Sequence, residues 1–339
     1  MALSGTGKSN KAQAFVNTEQ KIRRKLWRWF KRHGRDLPWR RTHDPYAILV
    51  SEFMLQQTTV SAVIPYFERW MARFPTLASL ARSAEKDVLA LWQGLGYYRR
   101  AHNLRQVALT LLKTGRAEVP DSLTELRTLP GVGDYTAAAV ASFAFDAVQP
   151  LIDANVARVL ARFRNWKEPI DDAAGRAFLL QAARELLPKA GGRLHNSALM
   201  ELGALICLAR NPKCRRCPLR RDCAAERPDQ LPKRRPLRAI EPVLDTRAFI
   251  FERGKLWLER ASGPRWRGMW LLPGTNPTDR CEDHVERYFI TRFHVTMRIY
   301  VERRHDRDLE GYPLQALPPM PSAHRRAVAA MLQRVHSRT

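Results

Sequence analysis

The sequence predicts a multidomain chain: an all-α region running to Cys223, followed by a small α+β domain. Three observations carry this. From about Thr18 to Cys223 apolar residues recur at helical spacing, with short breaks at Gly34, Pro75, Gly94, Gly96, Pro120, Pro130 to Gly133 and Pro150. Residues 224–245 are rich in proline, arginine and lysine and almost without apolar periodicity, so they read as an interdomain linker. Beyond them, Phe293, Val295, Met297, Ile299 and Val301 alternate at period two, as a half-buried strand requires. A length of 339 residues, 45% of them hydrophobic, is enough for two or three domains with ordinary cores.

The elements follow in order. Gly5-Thr6-Gly7-Lys8-Ser9 hints at a phosphate loop, but the first glycine of that pattern would fall on Ala2 and no strand precedes it. Residues 1–17 are therefore expected to be a disordered tail. Ser122 to Glu125 has the form of a capping box, and Leu123, Leu126 and Leu129 follow before the break at Pro130-Gly131-Val132-Gly133. A helix, a glycine hairpin and an alanine-rich helix are implied. Gly131 and Gly133 would leave backbone N–H groups bare at a helix start, where a phosphate can approach; an ordinary tight helix-helix turn is the alternative. Asp153 opens a helix whose buried stripe is Val156, Val159, Leu160 and Phe163, which makes it an N-cap aspartate. In the second domain a hairpin is expected from Ala248 to Leu258 around Arg253-Gly254. A helix with Val328, Met331, Leu332 and Val335 on one side should start behind Ser322 as N-cap.

Charge narrows the function. A formal net charge of +25 and a pI near 10.7 predict a surface that attracts polyanions, nucleic acid first and an anionic membrane second. No apolar run approaches the roughly 20 residues of a membrane helix, and residues 1–20 lack a secretory stretch. The expectation is a soluble, intracellular protein. Cys207, Cys214, Cys217 and Cys223, with six, two and five residues between them, form one asymmetric run in basic sequence. One distant and three clustered thiolates suit a cubane iron-sulfur cluster; a zinc site or a disulfide framework are the alternatives. Cys281 stands apart and reads as a reduced thiol.

This cysteine spacing resembles the cluster loop of the helix-hairpin-helix DNA glycosylases related to endonuclease III, and LPGVGDYTA resembles their hairpin. Within VSEFMLQQTTV, the segment SE-x-MLQQT resembles the motif of the MutY-type adenine DNA glycosylases. The resemblance covers Thr18 to Cys223. It implies a six-helix barrel over 44–147 and a cluster module from 18–43 plus 148–223, with a 4Fe-4S cluster on Cys207, Cys214, Cys217 and Cys223. Glu52 would be a carboxylic acid of raised pKa that protonates the leaving adenine, and Asp153 the ionised partner that stabilises or captures the sugar cation. Without the resemblance, Glu52 would be a solvated residue or a cap. Bifunctional relatives carry a lysine at the second position after the hairpin's last glycine; here it is Tyr135, which implies a monofunctional enzyme leaving an abasic site. Asn155 would be a further polar group there, or else bond local backbone. RDLPWR, with Arg35, Leu37, Trp39 and Arg40, resembles the adenine-pocket segment, with a core aromatic as the alternative for Trp39. GLGYY, with Leu95, places Tyr97 as a base wedge, and Gln57 and Thr58 match residues inserted near the orphaned base. Ala154 departs from the usual glycine.

Residues 246–339 resemble the Nudix-related lesion-recognition domain of the same family, on the strength of Arg260 to Gly274. No catalytic Nudix glutamate run is present. Where the family's reader loop has Phe-Ser-His, this chain has Ile290-Thr291-Arg292, followed by Phe293-His294, so Arg292 or His294 is the candidate reader and lesion discrimination is expected to be altered. The implied partner is double-stranded DNA with adenine opposite 8-oxoguanine or guanine. The enzyme is expected to act as a monomer in cytoplasm or nucleoid, or in nucleus or mitochondrion of a eukaryote. A same-fold glycosylase for mismatched thymine and a non-catalytic iron-sulfur DNA-binding protein are the competing readings.

Overall fold

The computed structural model describes residues 6–236, 239–263, 266–276, 280–290, 292–304 and 308–336. Its helices are α1 (Thr6–His33), α2 (Pro45–Leu55), α3 (Val60–Arg73), α4 (Leu77–Arg82), α5 (Glu85–Trp92), α6 (Arg99–Lys113), α7 (Leu123–Thr128), α8 (Asp134–Phe145), α9 (Ala154–Phe163), α10 (Ala173–Leu186) and α11 (Gly192–Leu205). Strands β1 (Glu241–Phe249), β2 (Phe251–Glu252), β3 (Lys255–Arg260), β4 (Trp270–Leu271), β5 (His284–Ile290), β6 (Phe293–Val301) and β7 (Glu310–Pro313) follow, then α12 (Ser322–His336). The chain divides into two compact units, Met1–Glu52 with Glu118–Pro236, and Phe53–Ala117 with Leu237–Thr339.

In the first unit α1, α9, α10 and α11 close on one apolar core, with Leu26, Trp29, Val156, Leu160, Leu179, Leu199 and Leu202 inside it. Helix α1 begins at Thr6, so the segment expected to be a disordered tail is helical from there; residues 1–5 lie outside the described residues. A helix anchored downstream by Ile22, Leu26 and Trp29 propagates cheaply through helix formers such as Ala12, Gln13 and Ala14. The expected linker is also partly packed. Leu231 is buried, Arg162 donates to its carbonyl at 2.9 Å, and the Ile170 amide donates to the Lys233 carbonyl at 3.1 Å. One buried leucine and a few scattered hydrogen bonds leave no periodic signal, which is why composition reads 224–245 as a linker although β1 already begins at Glu241. Residues 237–238 lie outside the described residues.

The helical hairpin forms from α7 and α8. Ser122 is the N-cap of α7 but its side chain makes no cap hydrogen bond, so the expected capping box is not formed. Gly131 sits at φ +76°, the left-handed region that favours glycine. Gly133 is the N-cap of α8 and brings no side chain to the cap. Leu126, Leu129 and Val132 are buried beneath the turn.

In the second unit, β1, β6 and β5 make one sheet, with β1 parallel and β5 antiparallel to β6; β2, β3 and β4 make another, and β7 pairs with β3. The β2–β3 hairpin turns at Arg253 (φ 51°) and Gly254 (φ 74°), as expected of a two-residue turn with both central residues left-handed. Val295, Met297 and Ile299 point into the core, whereas Val301 is exposed and Tyr300 is buried, so the period-two pattern fails at the strand's last turn. Helix α12 starts with Ser322 itself, and the Pro321 carbonyl accepts from the Arg325 amide at 3.0 Å; Ser322 is one residue inside its expected cap position. Met331 and Val328 reach the core, while the side chain of Val335 lies outside the described residues.

Candidate active site

Helix α2 is apolar on every side, with Ile48, Leu49, Val50, Phe53 and Met54 at most 1% exposed. A carboxyl on it has nowhere to go but inward. Glu52 is buried, and that burial, followed by the negative charge of Asp153, pushes its pKa up to about 8. The phenol of Tyr135 opposes the shift by donating a hydrogen bond to the Glu52 carboxylate. Tyr135 is the second residue of α8, so the glycine hairpin sets where its ring lies. Its own pKa is raised by burial and by the two carboxylates, which keeps it a neutral donor.

Asp153 is the N-cap of α9 and accepts from the Val156 amide at 2.7 Å through Oδ1. Its Oδ2 accepts from Asn155 Nδ2 at 2.9 Å. The helix start therefore stabilises an anion here. Arg158 Nη2 donates to Asn155 Oδ1 and to the Gly203 carbonyl, both at 2.8 Å, and its Nε donates to the Cys207 carbonyl at 2.7 Å. A Cβ on Gly203 would lie 2.6 Å from that of Asn155, so α11 meets the first turn of α9 at a point where no side chain fits. Asn155 thus bonds the candidate catalytic carboxylate rather than local backbone.

Arg35 and Arg40 are directed to Glu201: Arg35 donates through Nε at 2.7 Å and Nη2 at 3.0 Å, and Arg40 through Nη2 at 2.8 Å. Burial would raise the Glu201 pKa, but these bonds hold it down to about 2. A carboxylate inside α11 needs partners, and these two arginines supply them. The segment between them is thereby fixed, with Leu37 and Trp39 buried. Within the second unit, Gln57 and Tyr97 are exposed, whereas Leu95 is buried and Thr58 turns its hydroxyl to Arg100 at 3.1 Å.

The four cysteines follow α11 in one loop, and Cys207, Cys217 and Cys223 lie against the first unit's core. Burial raises the Cys217 thiol to about 11, with the other three thiols adding to the shift, so all four are near one another. Among the described residues no group of three or more His, Cys, Asp or Glu is close enough to hold a single metal ion. Arg162 Nη1 donates to Cys207 Sγ at 3.4 Å. Arg210, Lys213, Arg215, Arg216, Arg220 and Arg221 are all exposed around the loop.

In the β5–β6 hairpin Phe289 pairs with His294, and their rings stack at 4.6 Å and 14° with Phe289 65% exposed. Arg292 lies at the turn, 3.3 Å from Glu241 and 5.1 Å over the Phe293 ring. Thr291 lies outside the described residues, as do residues 264–265 of the segment from Arg260 to Gly274.

A helical hairpin with bare glycines, together with a buried acid and an aspartate that caps a helix, defines a class. Residues 50–183 match the HhH-GPD superfamily base excision DNA repair proteins. The adenine DNA glycosylase of Buchnera aphidicola subsp. Acyrthosiphon pisum (strain APS) is 34% identical over 251 residues, 72% of this chain and 71% of that protein. That of Mycolicibacterium smegmatis is 44% identical over 195 residues, 57% of this chain and 66% of that protein. Among solved structures, a thermostable thymine-DNA glycosylase aligns with a TM-score of 0.55 at 28% identity, over 62% of this chain and 97% of that one. A non-covalent endonuclease III–DNA complex aligns at 0.51 and 25% identity, over 61% and 95%. The chain belongs to the adenine DNA glycosylase family. It is a DNA-binding, base-excision enzyme that acts on adenine.

Three residues that organise buried hydrogen bonds are not evident in the sequence. Glu201 carries a signal in hindsight, a lone acid in the apolar run SALMELGAL. Arg158 stands three residues after Asn155 on the same helix, a spacing that brings side chains together. Arg100, in the run YYRR, carries none.

Proposed function

We propose that the enzyme hydrolyses the N-glycosidic bond of adenine mispaired with 8-oxoguanine or guanine, with Glu52 as acid and Asp153 as the carboxylate at the sugar. The observation that carries this reading is a buried Glu52, its pKa pushed up by burial and by the nearby Asp153, beside an Asp153 held at a helix start. With adenine flipped into the pocket near Trp39, Glu52 gives its proton to a purine ring nitrogen. The bond from C1′ to the base then breaks with its electron pair going to the base. Asp153 stabilises or captures the resulting cation; water then adds at C1′, releasing the Asp153 carboxylate where it has bonded there, and gives its proton to the Glu52 carboxylate, which restores the acid. Tyr135 offers no amine for a Schiff base, so the DNA backbone stays intact and an abasic site is the product. The residues that would hold a 4Fe-4S cluster are Cys207, Cys214, Cys217 and Cys223; when bound, the cluster would fix the basic loop that grips phosphate. The α+β domain would be Nudix-related and read the opposite base through the β5–β6 hairpin, the whole acting as a monomer inside the cell.

Single-turnover kinetics on duplexes with adenine opposite guanine, 8-oxoguanine and cytosine test this. Excision from the first two, slow excision from the third, and strands that break only after alkali are expected. Equal rates on all three, or breakage without alkali, would overturn the reading. Arg292 donates without accepting, unlike a neutral imidazole, so the advantage of 8-oxoguanine over guanine is expected to be small; a large preference contradicts that.

Tyr135→Phe gives a signed pH effect. Removing the donor to the Glu52 carboxylate disfavours its ionised form, so the alkaline limb of the pH–rate profile should move upward from about 8. The maximal rate should fall about tenfold, the scale of one lost hydrogen bond to a charged group. A limb that moves downward would be inconsistent with this contact.

A further inference from the structure

Within the second unit one buried arginine joins two loops. Arg100, the second residue of α6, is 5% exposed, and among the described residues no carboxylate pairs with it. Its Nη1 donates to the carbonyls of Phe53 at 2.9 Å, Met54 at 2.7 Å and Gln56 at 2.6 Å. Its Nη2 donates to Thr58 Oγ1 at 3.1 Å and to the carbonyls of Leu95 at 3.1 Å and Gly96 at 3.0 Å. The first group is the C-terminal end of α2 and the turn after it; the second adds the turn before α6. A guanidinium is favoured at a helix C-terminus, where carbonyls lack helical partners.

Both turns hold an exposed residue in a left-handed conformation that side chains rarely adopt. Gln57 has φ 57° and Tyr97 has φ 49°, and Tyr97 is 46% exposed. Gly94 and Gly96 precede it at φ 105° and 72°. The Arg100 guanidinium lies 5.6 Å from the Tyr97 ring and 5.3 Å from that of Trp92, whose indole N–H donates to the Gly96 carbonyl at 3.1 Å. Strained backbone persists where its surroundings over-determine it, and such strain clusters at functional positions. The carbonyls around both residues are fixed by one side chain.

We infer that Arg100 is a positioning residue that presets the Gln57 and Tyr97 turns as a single rigid wedge for opening the duplex around the target adenine. The inference rests on the DNA-glycosylase reading of this chain. Opening a base pair means unstacking it, and a wedge already held in its working conformation avoids ordering two loops at that moment. Arg100 would therefore affect extrusion of the base and leave cleavage of an already extruded base almost untouched. A lysine cannot replace it, because three donors on one nitrogen cannot reach six acceptors spread over two loops.

The test compares Arg100→Lys with the wild-type enzyme under single turnover on two substrates. One is a duplex with adenine opposite guanine; the other carries the same adenine in a bulge with no opposite base. Fluorescence of a 2-aminopurine next to the target reports unstacking. A loss of 10- to 100-fold on the duplex, with a reduced unstacking signal and less than a threefold loss on the bulge, is expected. Gly96→Ala provides a second variant, since its added methyl meets no atom within 4 Å and strains only the left-handed turn; the same substrate split is expected. Equal losses on both substrates, for whichever variants retain the wild-type circular dichroism, would overturn the proposal. Wild-type enzyme that excises adenine from neither substrate would instead sink the glycosylase reading itself.

Discussion

Glu52→Gln is expected to abolish adenine excision and, at the same time, to stabilise the folded chain at alkaline pH. The amide keeps the shape of the acid but has no proton to give, so the rate should drop by about 10³-fold, within the range for general acid catalysis. The stability effect follows from linkage. Below pH 4.5 the carboxyl is protonated whether the chain is folded or not, and glutamine brings no advantage. As pH rises through 4.5 the unfolded chain releases the proton while the folded chain keeps it, so the wild-type fold weakens steadily until about pH 8, where the folded carboxyl ionises too. The displacement from 4.5 to about 8 sets an upper bound of about 5 kcal/mol on what the substitution regains above pH 8. Urea unfolding of both proteins at pH 4, 6 and 8.5 measures it. A variant whose advantage fails to grow between pH 4 and 8.5 would show that Glu52 is not held protonated by the fold.

Asp153→Asn should lose about 10³-fold or more in excision, the scale of removing charge stabilisation aimed at a transition state, with binding to mispaired duplex retained. Asparagine is as good an N-cap as aspartate, so α9 should keep its stability; alanine at the same position should cost about 1 kcal/mol besides the activity. The Asn and Ala variants together separate chemistry from scaffolding. Binding to a duplex carrying an uncleavable 2′-fluoro-adenosine, alongside urea melts, gives both readouts. Since the Asp153 charge helps raise Glu52, its removal should also bring the Glu52 pKa down from about 8. Excision within tenfold of wild type would remove Asp153 from the mechanism.

What the sequence disclosed was whatever repeats or is local. The stripe Val156, Val159, Leu160 and Phe163 located α9 and therefore its capping aspartate, and period two located most of β6. The hairpin glycines and the adenine-glycosylase resemblance were readable because each occupies one short segment. Contacts that join distant segments were not readable. The pairing of Arg35 and Arg40 with Glu201 spans more than 160 positions, and nothing in RDLPWR announces that its charges face inward. The packed half of the 224–245 segment was missed because one buried leucine and a few hydrogen bonds to distant residues make no pattern. Arg100 was invisible for the same reason, since five of its six acceptors are backbone carbonyls, which every residue has.

Gly203 has a consequence for how this enzyme tolerates change. It bears no charge and offers no side chain, yet any residue larger than glycine would intrude on Asn155 at 2.6 Å. The displaced turn is the one that begins at Asp153, so a single added methyl on α11 would be felt as a misaimed carboxylate on α9. Inactivating substitutions in this protein therefore need not fall on polar or charged positions. The chemistry is as exposed to loss through a missing space as through a missing acid.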